Sequence, residues 1–317
     1  MKKKILLTKY FPDETLHSFK TYFDFIVPKP SFVPMSRFDV LAIKGKIEGI
    51  INSAELKVDN EILDKFPSLK IISNISIGTD NLDLELLSKR RIWATNTPLS
   101  FVNSTADCTM AFILILARRL RQADIYVRKN LWPNDGFTPG MWDGNLLSGK
   151  TLGIIGYGNI GKAVARRAKS FGMKIIFTKK NISRSKNYRS LNELLKISDF
   201  ISLHAPLTDD SYHLLNSRNL KYLKKNSYLI NMSRGKLINE NDLINLIKLK
   251  KIAGVALDVF EFEPEISPEL LNFNNVFLTP HLGGGTNESR LDAFKLCLQN
   301  QKRVFEDLKP LTPVNSF

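Results

Sequence analysis

Leu152-Gly153-Ile154-Ile155-Gly156-Tyr157-Gly158-Asn159-Ile160-Gly161 is the stretch on which the fold turns. An apolar run leads straight into glycines spaced G-x-G-x-x-G, and residues 162–171 continue as a helix. The spacing alone recurs by chance, but its position between an apolar strand and a helix is the context a phosphate-binding turn requires. Gly156 permits the tight turn, Gly158 lets a pyrophosphate approach the backbone, and Gly161 lets the helix pack closely on the strand. The helix N-terminus would then offer free N–H groups and the positive end of its dipole to the phosphates.

The end of the next strand reads Phe177-Thr178-Lys179-Lys180-Asn181-Ile182-Ser183-Arg184. A site preferring NAD(H) places Asp or Glu roughly 20 residues into the motif, where it binds the ribose hydroxyls. Here that position is Lys179, with Lys180 and Arg184 close behind, and cations pair with a 2′-phosphate that a carboxylate would repel. NADP(H) is the preferred cofactor on this reading. NAD(H) stays open, because a lysine-rich chain also puts lysines on solvated faces.

Outward from the turn, short apolar strands alternate with helical stretches almost end to end, the pattern of parallel sheets covered by helices. Strands are expected at 4–8, 23–27, 49–52, 69–73 and 92–95, then at 152–155, 174–177, 200–203, 227–231, 253–257 and 276–278. A long helix is expected from Asn103, with Arg118, Arg119 and Arg121 crowding its C-terminal end. The Trp-, Pro- and Gly-rich patch 131–142 reads as a loop, and 288–307 as a final helix. The expected class is α/β with two flavodoxin- or Rossmann-like domains. Residues 102–282 form the NAD(P)-binding domain, inserted into a substrate (catalytic) domain of 1–101 and 283–317.

Composition sets the outer limits. Hydrophobic residues are 43% and charged residues 24% of 317, a globular balance. Two cysteines, Cys108 and Cys297, cannot build a disulfide framework, so a reducing, cytoplasmic setting is expected. The longest apolar run, 110–117, is far below the ~20 residues of a membrane span. The net charge of +15 is spread along the chain, not gathered into a basic stripe, so no nucleic-acid partner is expected. No segment has metal-ligand spacing.

With the turn placed, residues from about 71 to 285 resemble the D-isomer-specific 2-hydroxyacid dehydrogenases, most closely the glyoxylate/hydroxypyruvate reductase branch. The carrying segments, besides the turn, are Gly78-Thr79-Asp80-Asn81-Leu82-Asp83, Asn103-Ser104-Thr105-Ala106-Asp107 and His204-Ala205-Pro206-Leu207-Thr208. Further along come Asn231-Met232-Ser233-Arg234-Gly235, Leu257-Asp258-Val259-Phe260-Glu261-Phe262-Glu263-Pro264 and Thr279-Pro280-His281-Leu282-Gly283. The resemblance implies a homodimer and a catalytic Arg234, Glu263 and His281. It also implies substrate-binding N–H groups at Ile77 and Gly78, beside Arg234 and His281, pyrophosphate contacts at Asn159 and Ile160, and a cofactor cleft lined by Thr105, Pro206, Met232, Asp258 and Gly284.

The residue chemistry agrees. Reducing a 2-keto acid takes a hydride at the carbonyl carbon, a proton at its oxygen and a grip on the carboxylate. A histidine titrates near neutrality and can move the proton. Glu263 on its far nitrogen would fix the tautomer, and the planar fork of Arg234 suits two oxygens at once. Ser76, the Asp107-Cys108 pair and Leu99-Ser100 depart from common family residues on the substrate side. They leave the acid open between glyoxylate, hydroxypyruvate and a sugar-derived 2-hydroxy acid. A non-catalytic nucleotide sensor is the remaining alternative.

Overall fold

Strands of this chain are short runs of Ile, Leu and Val, and the computed structural model, which describes residues 2–11, 13–31, 33–53 and 55–317, gathers them into two parallel sheets. The chain divides into one unit of Met1–Phe101 with Gly285–Phe317 and a second of Val102–Gly284, inserted between residues 101 and 285 of the first. The two parallel-sheet α/β units are those the strand–helix alternation predicts.

In the first unit β1 (Lys3–Leu7), β2 (Phe23–Ile26), β3 (Gly49–Asn52), β4 (Ile71–Asn74) and β5 (Trp93–Thr95) run in the order β2-β1-β3-β4-β5. Successive side chains alternate between faces. Leu6 packs with Ile62, Phe66 and Leu87 on one side, whereas Ile5 and Leu7 pack with Phe294 and Leu298 of helix Asn287–Phe305 on the other. β3 and β4 are buried at every position, as a strand covered on both faces must be. β4 begins two residues later than its apolar pattern predicts, because Leu69 closes a turn on the Phe66 carbonyl.

The second unit holds β6 (Thr151–Ile155), β7 (Lys174–Thr178), β8 (Phe200–Leu203), β9 (Tyr228–Asn231), β10 (Gly254–Leu257) and β11 (Val276–Leu278), in the order β11-β10-β9-β8-β6-β7. The order reverses between β6 and β8. In an open parallel sheet, that reversal leaves a crevice at the C-terminal strand ends, where ligands bind. The long helix predicted from Asn103 divides: Val102–Arg118 stops at Arg119, whose φ of +52° breaks it, and Leu120–Arg128 follows. The patch predicted as a loop contains a short helix, Trp132–Asp135, with proline in its first turn. The final helix ends at Phe305, two residues earlier than predicted. Among the described residues no helix is long and apolar enough to cross a membrane, and no group of three or more His, Cys, Asp or Glu is placed to hold a metal.

Candidate active site

The glycine turn connects β6 to helix Asn159–Ser170 at the sheet's reversal point. Gly156 has φ +93°, and a Cβ there would lie 2.5 Å from Ala205 N, so the turn rests against the loop after β8. A Cβ at Gly161 would lie 2.2 Å from the Gly156 carbonyl oxygen. At Gly158 the situation is opposite, with no atom within 4 Å of where a side chain would begin. No side chain caps the helix that starts at Asn159, so its first N–H groups have no side-chain acceptor. These residues fit a pyrophosphate.

Beyond β7, Lys179 and Arg184 are exposed, whereas Lys180 already pairs with Asp210 at 2.5 Å. Thr105 and Met232 are buried, and the Gly284 carbonyl accepts from Ser104 Oγ at 3.1 Å. Pro206 offers its carbonyl to Ser211. His204 is half-buried, its Nε2 2.7 Å from Ser202 Oγ, and desolvation pushes its pKa down to about 3.

At the C-terminal ends of β9, β10 and β11 the structure brings Arg234, Glu263 and His281 together. His281 Nδ1 stands 3.0 Å from Glu263 Oε2, and the other Glu263 oxygen accepts from Phe260 N–H at 2.8 Å. The hydrogen bond that His281 Nδ1–H donates to Glu263 raises the His281 pKa above its ordinary 6.5. Burial and Arg234 oppose that rise, and the charges of Glu263 and Asp258 add to it. Burial works to raise Glu263, but its bond to His281, the His281 charge, the Phe260 N–H and Arg234 outweigh it and hold the carboxyl below the usual range.

The backbone at His281 is held in an uncommon conformation, φ +50°. Its N–H reaches the Asp258 carbonyl at 2.8 Å. The Asp258 carboxylate takes Leu282 N–H and Gly283 N–H, both at 2.8 Å, and Thr279 Oγ1 at 2.6 Å. Asp258, placed in the cofactor cleft by sequence, therefore spends its carboxylate on the loop that carries His281. Nothing in the sequence signals that use.

Asn231 shapes the Arg234 turn, donating from Nδ2 to the Arg234 carbonyl at 2.9 Å and accepting from Ser233 N–H at 3.1 Å. A Cβ at Gly235 would lie 1.9 Å from the Phe260 carbonyl carbon, so no side chain fits there unless this turn or the segment leading to Glu263 moves. That segment is also tied down by residues the sequence did not single out. Glu240 and Glu261 exchange carboxylate and backbone N–H (2.9 and 3.2 Å), and His213 Nε2 lies 2.6 Å from Glu261 Oε1.

Asp107 pairs with Arg167 at 2.5 Å, linking two helices, and burial pushes the half-buried Cys108 thiol up to about 11. Burial raises the Cys297 thiol as well. Both are inert thiols in this setting. Ile77 and Gly78 lie after β4 in the first unit, half-buried.

A parallel sheet with an uncapped glycine turn at its reversal point is the frame of a dinucleotide-binding domain. Residues 110–283 match the family model "D-isomer specific 2-hydroxyacid dehydrogenase, NAD binding domain", and the chain belongs to that family. It is 41% identical over 308 residues to a glyoxylate reductase of Thermococcus litoralis, covering 95% of this chain and 93% of that one. Among solved structures, the TT0316 protein of Thermus thermophilus superposes with a TM-score of 0.91 at 33% identity, covering 98% of this chain and 99% of that one. An NADPH-dependent glyoxylate/hydroxypyruvate reductase of Sinorhizobium meliloti, in complex with NADP and malonate, gives 0.86 at 29% identity, covering 99% and 97%.

Proposed function

We propose that this protein reduces a small 2-keto acid, glyoxylate or hydroxypyruvate, to the 2-hydroxy acid with NADPH. The observation that carries the reading is the His281–Glu263 pair at 3.0 Å, within electrostatic reach of Arg234. The glycine turn and the open N-terminus of helix Asn159–Ser170 hold the pyrophosphate, and the bound nicotinamide supplies the hydride. Arg234 draws the keto acid's oxygens into line through its planar fork. His281, protonated and oriented by Glu263 on Nδ1, gives the Nε2 proton to the carbonyl oxygen as the hydride reaches the carbon. Ile77 and Gly78 offer backbone N–H groups to the carboxylate. The names of the Thermococcus and Sinorhizobium relatives support the choice of acid.

Lys179 and Arg184, exposed where an NAD site keeps an acid, support NADP(H) over NAD(H). Lys180 contributes less, since leaving Asp210 offsets its gain. Initial rates at 340 nm with each acid against NADPH and NADH test the proposal. NADPH turns over faster, and Lys179→Asp lowers kcat/KM for NADPH by about tenfold to a hundredfold, the loss of charge-assisted bonds. Equal turnover with NADH removes the NADP assignment, and no turnover with either acid removes the function.

A homodimer belongs to the same reading. Val127, Leu131, Trp132, Phe137 and Leu146 are exposed apolar side chains within one stretch, a surface suited to a second copy. Sedimentation at micromolar concentration is expected to give twice the chain mass, and a monomer there rules the dimer out.

A further inference from the structure

The loop after β4 presents consecutive peptide planes whose carbonyls are all claimed. The Ser76 carbonyl accepts from Thr97 N–H at 2.9 Å and Thr97 Oγ1 at 3.1 Å. The Ile77 carbonyl accepts from Asn96 Nδ2 at 2.8 Å, and the Gly78 carbonyl accepts from Ser76 Oγ at 2.6 Å. In a trans peptide the N–H points away from the carbonyl of the same plane. Fixing these three carbonyls therefore fixes the N–H groups of Ile77, Gly78 and Thr79, for which no acceptor stands among the described residues. Successive backbone N–H groups left without acceptors in a turn can form a concavity that binds an anion.

We propose that Asn96 and Ser76 are positioning residues for the substrate carboxylate, holding this run of N–H groups toward it without touching it. The inference rests on the reading that Ile77 and Gly78 receive that carboxylate. Asn96 is itself anchored. Thr312 Oγ1 donates to its carbonyl at 2.6 Å, and Asn300, wholly buried in helix Asn287–Phe305, accepts from Leu311 N–H at 2.7 Å and Thr312 N–H at 3.3 Å. The C-terminal segment thus braces the loop from behind.

Two variants separate positioning from general stability. Asn96→Asp keeps the shape but sets an acceptor against the Ile77 carbonyl, which favours turning that peptide over. Ser76→Ala merely frees the Gly78–Thr79 plane. A carboxylate is gripped equally in ground and transition states, so its loss appears in KM and not in kcat. Expected are rises of about tenfold for Asn96→Asp and about threefold to tenfold for Ser76→Ala, in the KM of the keto acid and the Kd of oxamate alike. Oxamate binding is measured calorimetrically on the full chain saturated with reduced nicotinamide nucleotide. The kcat, the nucleotide KM and the melting temperature of Ser76→Ala stay at wild-type values. Unchanged oxamate affinity in both variants overturns the proposal. So does a parallel loss of kcat and nucleotide affinity, which marks a structural role. If the wild type binds oxamate yet reduces no keto acid, the functional reading fails while the variants' oxamate affinities still decide this one.

Discussion

Replacing His281 with asparagine lowers kcat for keto-acid reduction by about 10²- to 10⁴-fold, the usual contribution of a positioned general acid. The KM for NADPH stays the same. Asparagine is the informative substitute because it tolerates the positive φ that position 281 adopts (+50°), so the loop keeps its hydrogen bonds to Asp258. Steady-state rates with glyoxylate or hydroxypyruvate read the effect, and a loss below about fivefold excludes His281 as the proton donor. The wild-type pH profile carries the same assignment with a definite sign. Reduction needs the imidazolium, so kcat/KM is full at low pH and falls as pH rises through the His281 pKa, which lies above 6.5. Oxidation of the 2-hydroxy acid needs the neutral ring and runs the other way, rising with pH through the same point.

Glu263→Gln is expected to move that descending limb to lower pH and to cost about 10²- to 10³-fold at neutral pH, in line with losing the carboxylate that orients a catalytic imidazole. Two effects combine. The imidazolium loses the bond that raises its pKa, so less of it is protonated at neutrality. The ring also loses the acceptor that fixes Nδ1–H and leaves Nε2 toward the substrate. The glutamine side chain keeps the acceptor for Phe260 N–H, so the loop itself should hold. A pH–rate profile that drops in height without moving along the pH axis would mean that Glu263 acts on orientation alone. No change in either overturns its role.

Much of the architecture was legible because it is specified locally. A four-residue apolar run, a glycine that must adopt φ > 0 and a helix without a side-chain cap are requirements of neighbouring residues on one another, and residues 152–161 state all three. The strands of both sheets fell within a residue or two of their apolar runs. The errors came where local turn geometry overrode the apolar pattern. Arg119 breaks a helix whose apolar periodicity runs on, and Leu69 is drawn into a turn although its pattern suits a strand.

The candidate site was legible in its parts and not in its assembly. Arg234, Glu263 and His281 could be named from their motifs, but the 3.0 Å between His281 and Glu263 joins residues at the ends of different strands and depends on how the sheet packs. The partners of the Asp258 carboxylate were not legible for a related reason. A carboxylate after a strand can face a ligand or fold back on the next loop, and the position of residues 279–283 decides which.

The order of apolar runs, turns and helix starts was enough to determine a doubly built parallel α/β chain with a phosphate-binding turn, since steric limits on φ and ψ and the burial of strand faces act over a few residues. Only the tertiary structure decided which carbonyls are claimed around Ile77, which oxygen of Glu263 meets which nitrogen of His281, and where Asp258 spends its charge. Those are distances between residues far apart in the chain, and they become definite only when the packed sheet fixes the positions of the loops at its edge.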